Sequence, residues 1–249
     1  SNSANMATNT ATGFDETTST VVSNANIVQH RVEDVINSCN RVSNSVRLVA
    51  VSKTKPAESI QELYDAGFRN FGENYFQELV EKAQILPKDI KWHFIGHLQS
   101  SKASKLIREV PNLAVLETID SVKLAGKLNT ACETAGRDPL HVFIQVDTSG
   151  EDTKSGVEDG PELDELLVYV KEKCPHLHIA GLMTIGAPND FTCFDKLATC
   201  RERSAGILGV PAVQLELSMG MSGDFEEAIR RGATSVRVGS TIFGPRLYP

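Results

Sequence analysis

This sequence predicts an α/β protein, a single-domain (β/α)₈ barrel, on three observations. Eight apolar strand candidates follow one another between residues 46 and 244, with helical patterns between them. Strands alternating with helices imply parallel pairing, because each parallel return needs a crossover. The length, 249 residues, suits such a barrel as one domain. An open doubly wound sheet is the alternative. No G-x-G-x-x-G fingerprint opens the first unit, which favours the barrel.

Residues 1–25 are rich in Ser, Thr, Asn and Ala and are expected to form a tail without fixed structure. The five residues ahead of Met6 are left out of the fold. The barrel domain is expected over 26–249. It opens on an extra N-terminal helix, with Val28, Val32, Val35, Ile36 and Cys39 on one face. That helix can take the outer place beside the eighth strand, which almost no chain follows.

The strands are "VRLVAVS" (46–52), "RNFGEN" (69–74), "KWHFIG" (91–96), "LAVLETI" (113–119), "HVFIQVDT" (141–148), "HIAGLMTIG" (178–186), "VQLELSMG" (213–220) and "SVRVGSTIFG" (235–244). Apolar stripes mark the helices between them. Ile60, Leu63 and Tyr64 form one, closed by Gly67, and Phe225, Ala228 and Ile229 form another, closed by Gly232. Phe76, Leu79, Val80 and Ala83 make a third, and Leu124, Leu128 and Ala131 a fourth. "EDGPELDEL" (158–166) reads as an acidic helix start, which suits the helix dipole.

Composition narrows the function classes. Hydrophobic residues at 41% and charged residues at 23% fit a globular core. A net charge of −7 argues against a general nucleic-acid binder. No apolar run reaches membrane-spanning length. The first 25 residues carry no lysine or arginine, so neither a transit nor a signal peptide is supported. Five scattered cysteines fit free thiols in a reducing compartment, and the expected location is cytoplasmic.

Barrel active sites form at the C-terminal ends of the strands. Here those ends are polar, with Lys53 on the first strand and Arg237 on the last, neighbours in a closed barrel. Val49, Val51 and Lys53 share one strand face, as do Arg237 and Gly239. A lysine desolvated beside an arginine has its charged form disfavoured, which frees an amine for a Schiff base with an aldehyde. The plainer reading pairs Lys53 with Glu73 or Glu117. "SMGMSGDFEEAIRRG" and "VGSTIFG" add two small-residue turns on the strands where barrels commonly hold phosphate. An aldehyde bearing a phosphate points to pyridoxal 5′-phosphate.

Eight stretches carry a resemblance: "AVSKTKP", "FGENYFQEL", "WHFIGHLQSSK", "ETIDS", "SGEDTKSG", "GLMTIG", "LSMGMSGDFEEAI" and "VRVGSTIFG". In order, from about Val46 to Pro245, they resemble the pyridoxal-phosphate homeostasis protein family, also called the PLP-binding protein family. The resemblance implies a barrel of the alanine racemase N-terminal type, standing alone, with pyridoxal phosphate as a Schiff base on Lys53. It places the phosphate on Ser218, Met219 and Gly220, with Ser222, and on Gly239 and Ser240. It sets Arg237 against the pyridine nitrogen and Asn74 beside the ring. The chain departs from the family pattern at Ser101, at Asp147, which adds a negative charge near the mouth, and at Ser240.

Arginine only donates, so it keeps a ring nitrogen unprotonated and weakens the ring as an electron sink. A racemase also needs a second acid/base, a tyrosine that the resemblance assigns to a further domain not expected here. Of Tyr64, Tyr75, Tyr169 and Tyr248, only Tyr75 falls beside the mouth. The expected function is therefore to buffer and supply pyridoxal phosphate for vitamin B6 homeostasis, without substantial turnover. Apo-enzymes that use the cofactor would be recipients, and the chain would act as a monomer. The alternatives are an amino-acid racemase or related enzyme using Lys53 as acid/base, and a phosphate-sugar barrel enzyme without the cofactor. His93 reads as a core histidine and His97 as a candidate at the mouth, while His176 and His178 lack a third metal ligand. Lys55, just before Pro56, belongs to the loop, either solvated or a second cation near the site.

Overall fold

The computed structural model describes residues 18–151 and 155–246. Most of the expected tail, three residues of "SGEDTKSG" and Tyr248 lie outside the described residues. The chain runs through β1 (Arg47–Val51), β2 (Asn70–Glu73), β3 (Lys91–Phe94), β4 (Leu113–Ile119) and β5 (Leu140–Asp147). It continues through β6 (Val157–Glu158), β7 (Leu177–Met183), β8 (Glu216–Ser218) and β9 (Ser235–Val238). All pairings are parallel, and β4 to β5 and β1 to β9 close eight strands into a barrel. The two-residue β6 sits beside the end of β5.

Every barrel strand lies on an apolar run read from the sequence, most of them trimmed at the ends, and two runs are less than half as long as strands. The run at 213–220 starts as a 3₁₀ turn, Ala212–Gln214, behind Pro211. The run at 235–244 stops at Val238, because Gly239 opens a short helix over Ser240–Phe243.

Around the barrel lie α1 (Thr20–Ser38), α2 (Ala57–Asp65), α3 (Phe76–Ile85), α4 (Ala103–Glu109) and α5 (Val122–Ala135). They are followed by α6 (Pro161–Lys173), α7 (Thr192–Leu208), α8 (Phe225–Arg230) and α9 (Ser240–Phe243). The first helix starts earlier than the expected domain boundary at 26. Ser19 caps it, its Oγ accepting the Val22 N–H at 3.2 Å. Ala25, Val28, Val32, Val35 and Ile36 are its buried face. It docks on the last helices: Asn24 Nδ2 donates to Ile242 O at 3.1 Å, and Arg41 to Ile229 O at 2.9 Å. The first helix thereby fills the outer place beside the final strand.

The main apolar core lies between the barrel and its helices, from Trp92, Phe71 and Phe94 to Leu63, Leu79 and Phe225. The barrel interior holds a smaller apolar layer of Val115, Phe143, Ala180 and Met183. Next to that layer the interior is polar, with buried His93, Glu117, Gln145, Thr184, Ser218 and Arg237. Buried polar groups of this kind must satisfy one another, and they shape the site above them.

Candidate functional site

A cavity of about 470 Å³ opens at the C-terminal ends of the strands. That volume is in the range of small-molecule sites. Val51 and Lys53 line it from the end of β1, Asn74 from β2 and Arg237 from β9. Ile95, Met183 and Ile185 form its apolar wall. Met221, Ser222 and Gly223 approach from the loop before α8, and Gly239 and Ser240 from the start of α9. Gly244, Arg246 and Lys55 complete the outer rim.

Lys53 continues the inward face of Val49 and Val51. Glu73 pairs with Lys82 and Glu117 with His93, so neither is the ion-pair partner that the plainer reading gave Lys53. Its ammonium is held below the ordinary lysine range, first by burial and then by the charges of Arg246 and Arg237, with Glu73 opposing. The neutral amine is correspondingly easier to reach. Lys55 is not simply solvated: it lines the cavity, and its Nζ donates to Pro245 O at 2.8 Å.

Arg237 is buried and held from below. Its guanidinium donates to Ser218 Oγ at 2.6 Å and to Thr184 O at 2.8 Å. Ser218 Oγ in turn donates to Glu117. His93 Nδ1 meets the other Glu117 oxygen at 2.8 Å. Burial pushes the Glu117 carboxyl up, but the His93 hydrogen bond and the His93 and Arg237 charges outweigh it, leaving it below its ordinary value. An ionised Glu117 therefore anchors the chain through Ser218 to Arg237.

The loop groups are arranged to donate. Ser222 Oγ accepts the Gly239 N–H at 3.2 Å and the Thr241 N–H at 3.4 Å, fastening the two small-residue turns together. The backbone N–H groups of Ser222, Gly223 and Ser240 donate no hydrogen bond among the described residues, and all three residues line the cavity. Asn74 Oδ1 is buried without a partner and belongs to the same lining. Gly96 makes room for this corner: a Cβ there would stand 1.9 Å from Asn74 O.

Of the residues expected at the site, Lys53, Asn74, Ser222, Arg237, Gly239 and Ser240 line the cavity. Ser218, Met219 and Gly220 do not. Ser218 is spent beneath Arg237, and Met219 is fully buried in the main core. Gly220, at φ +98°, gives its carbonyl to the Arg237 N–H at 2.9 Å. The loop reaches the cavity one step later, through Met221, Ser222 and Gly223. His97 is exposed and outside the lining, and Tyr75 is 53% exposed and also outside it. Asp147 turns away as well, its Oδ1 accepting the Ser149 and Gly150 N–H groups at 3.1 Å. Met221, Arg246, Ile95 and Ile185 are not among the residues the sequence singles out. The small-residue loop that contains Gly223 is the signal for Met221, and nothing local marks Arg246.

The alanine racemase N-terminal domain family model matches residues 25–247. A pyridoxal phosphate homeostasis protein of Mus musculus is 51% identical over 216 residues, 81% of this chain and 77% of its own length. Another, from Schizosaccharomyces pombe, is 45% identical over 234 residues, 92% of this chain and 94% of its own. The solved structure of PipY from Synechococcus elongatus with PLP bound superposes at a TM-score of 0.70 and 34% identity, covering 86% of this chain and 100% of that one.

Proposed function

Because the chain belongs to the alanine racemase N-terminal domain family, among its pyridoxal phosphate homeostasis proteins, we propose that it binds pyridoxal 5′-phosphate at the barrel mouth and buffers and supplies it. Lys53 holds the cofactor as a Schiff base, without substantial turnover. When bound, pyridoxal phosphate supplies an aldehyde able to condense with an amine. The observation that carries the reading is the make-up of the cavity. It combines a lysine of lowered basicity with unpartnered N–H groups on two small-residue turns.

The residues fit that group. Ser222, Gly223 and Ser240 would hold the phosphate with their N–H groups. Asn74 Oδ1, a buried acceptor, would accept a hydrogen bond from the ring hydroxyl. Arg237 would face the ring nitrogen as a donor only, keeping it unprotonated. Lys53, Lys55, Arg237 and Arg246 make the lining cationic, suited to a phosphorylated ligand. Among the described residues the lining holds no carboxylate, histidine, cysteine or tyrosine. A lining that offers Lys53 as an amine of lowered basicity supports holding and release over proton transfer on both faces of a substrate.

No helix among the described residues is long and apolar enough to cross a membrane. We assign the chain to the cytoplasm on its free cysteines and regard it as a monomer of one barrel domain behind a tail, with cofactor-free enzymes as recipients. The test is a titration of wild type, Lys53→Ala and Lys55→Ala with pyridoxal phosphate, followed by borohydride trapping. Only Lys53→Ala should abolish the trapped adduct; its loss in Lys55→Ala alone would overturn the assignment. Sustained racemisation of single-enantiomer amino acids would sink the carrier reading.

A further inference from the structure

Among the described residues the Lys53 side chain makes no hydrogen bond, so its aim is set by its backbone. That backbone is held from outside β1. Ser52 Oγ donates to Glu73 Oε1 at 2.6 Å, and Ser52 O accepts from Lys82 Nζ at 2.8 Å. On the other side of Lys53, the Thr54 N–H donates to Glu78 Oε1 at 2.6 Å. Lys82 joins the two carboxylates, with Nζ 2.7 Å from both Glu73 and Glu78. Its three ammonium donors thus all have acceptors.

Two features say that this cluster does more than fill space. Lys82 is buried on the inner side of α3, its side chain 8% exposed. Lysine is almost never buried without partners, and a buried ion pair is weak evidence for stability alone. Thr54 has φ +64°, in the left-handed region where a β-branched residue is an outlier. Strain of that kind persists only where the surroundings over-determine it, and it gathers at functional sites. Here the fixed peptides are the two that flank Lys53.

We propose that Glu73, Glu78 and Lys82 are positioning residues for Lys53, a buried clamp that grips the chain on both sides of it and points its amine into the cavity. The proposal rests on the reading of Lys53 as the cofactor's anchor. In the reaction concerned, Lys53 Nζ bonds to the aldehyde carbon and gives up two protons to the aldehyde oxygen, which leaves as water. The clamp touches none of these atoms. Its effect falls on covalent attachment and not on the phosphate and ring contacts.

The test compares two ligands on the full chain: pyridoxal phosphate, read by imine absorbance, and its analogue with a methyl group in place of the aldehyde, read by equilibrium binding. Glu78→Ala should lower the imine equilibrium constant about tenfold, the worth of one hydrogen bond to a charged group. Affinity for the analogue should stay within about twofold, a change too small to signal a lost contact. Glu78→Gln keeps an acceptor oxygen and should restore attachment. Lys82→Met should lower attachment further; if that variant does not fold, Glu78→Ala still decides, because the Glu78 side chain is 23% exposed. Equal loss for both ligands, or no loss of attachment, overturns the clamp. An adduct that survives Lys53→Ala overturns the anchor reading itself, and the clamp with it.

Discussion

Replacing Glu73 with glutamine isolates the pH response of the buried carboxyl beside Lys53. Burial lifts Glu73 from 4.5 to about 7, despite the opposing charge and hydrogen bond of Lys82 and the hydroxyl of Ser52. Such a group binds its proton more tightly in the folded chain. Its contribution to stability is complete below about pH 4.5. It declines as pH rises toward about 7, because the unfolded chain has already released the proton. Each pH unit in that window is worth about 1.4 kcal/mol. Between about pH 5 and about pH 8 the wild type should therefore lose about 2–3 kcal/mol relative to Glu73→Gln. Glutamine keeps an acceptor for Ser52 and Lys82, so any fixed offset cancels in the comparison. Urea denaturation of both proteins across this range gives the difference directly. A stability gap that stays constant with pH would show that Glu73 does not titrate there.

Two further outcomes follow from the same geometry. Labelling of Lys53 by an amine-specific reagent, followed by mass spectrometry, should reach its half-maximal rate below pH 10.5, the ordinary lysine value. A midpoint at or above it would remove the argument for an accessible neutral amine. Gly220→Ala meets two penalties, a φ of +98° and a Cβ placed 2.6 Å from the Cβ of Ala228. It should cost about 2–3 kcal/mol in urea denaturation, from overpacking added to left-handed strain. A cost under about 0.5 kcal/mol, the level of an ordinary surface change, would mean that the loop relaxes freely.

What could be read from the sequence follows the range of the interactions. The eight strands were visible because buried parallel strands are continuous apolar runs. Lys53 and Arg237 were visible because alternation along a strand fixes which face a side chain takes. The helices α4 and α7 were not foreseen. The first is only about two turns around Leu106 and Ile107, and the second buries Phe194 and Leu197 near its start but only Cys200, Ser204 and Ala205 further on, so its stripe fades along the helix. Lys82 is inconspicuous in the sequence for a related reason. It stands between apolar positions of α3 and has Glu78 at i−4, the pattern of a solvated pair. Only the tertiary contact with Ser52 and Glu73 shows that it points inward. Ser218, Met219 and Gly220 looked like a phosphate loop because small residues before a helix carry that signal. Barrel closure turns the three toward Arg237 and the core, and hands the cavity to the residues that follow.

The seam between β1 and β9 also orders events in time. The hydrogen bond from Lys55 to Pro245 spans 190 residues, and the ladder beside it joins Leu48 to Val236. A chain emerging from the ribosome therefore makes Lys53 early and the strand that walls it in last. Until that strand arrives, β1 is an unpaired sheet edge open to other strands, and Lys53 lacks the burial and the Arg237 and Arg246 charges that lower its basicity. Long-range closure of this kind is slow to form. Cofactor captured across the seam would tie the first strand to the last, so loading would slow reopening there more than anywhere else in the barrel.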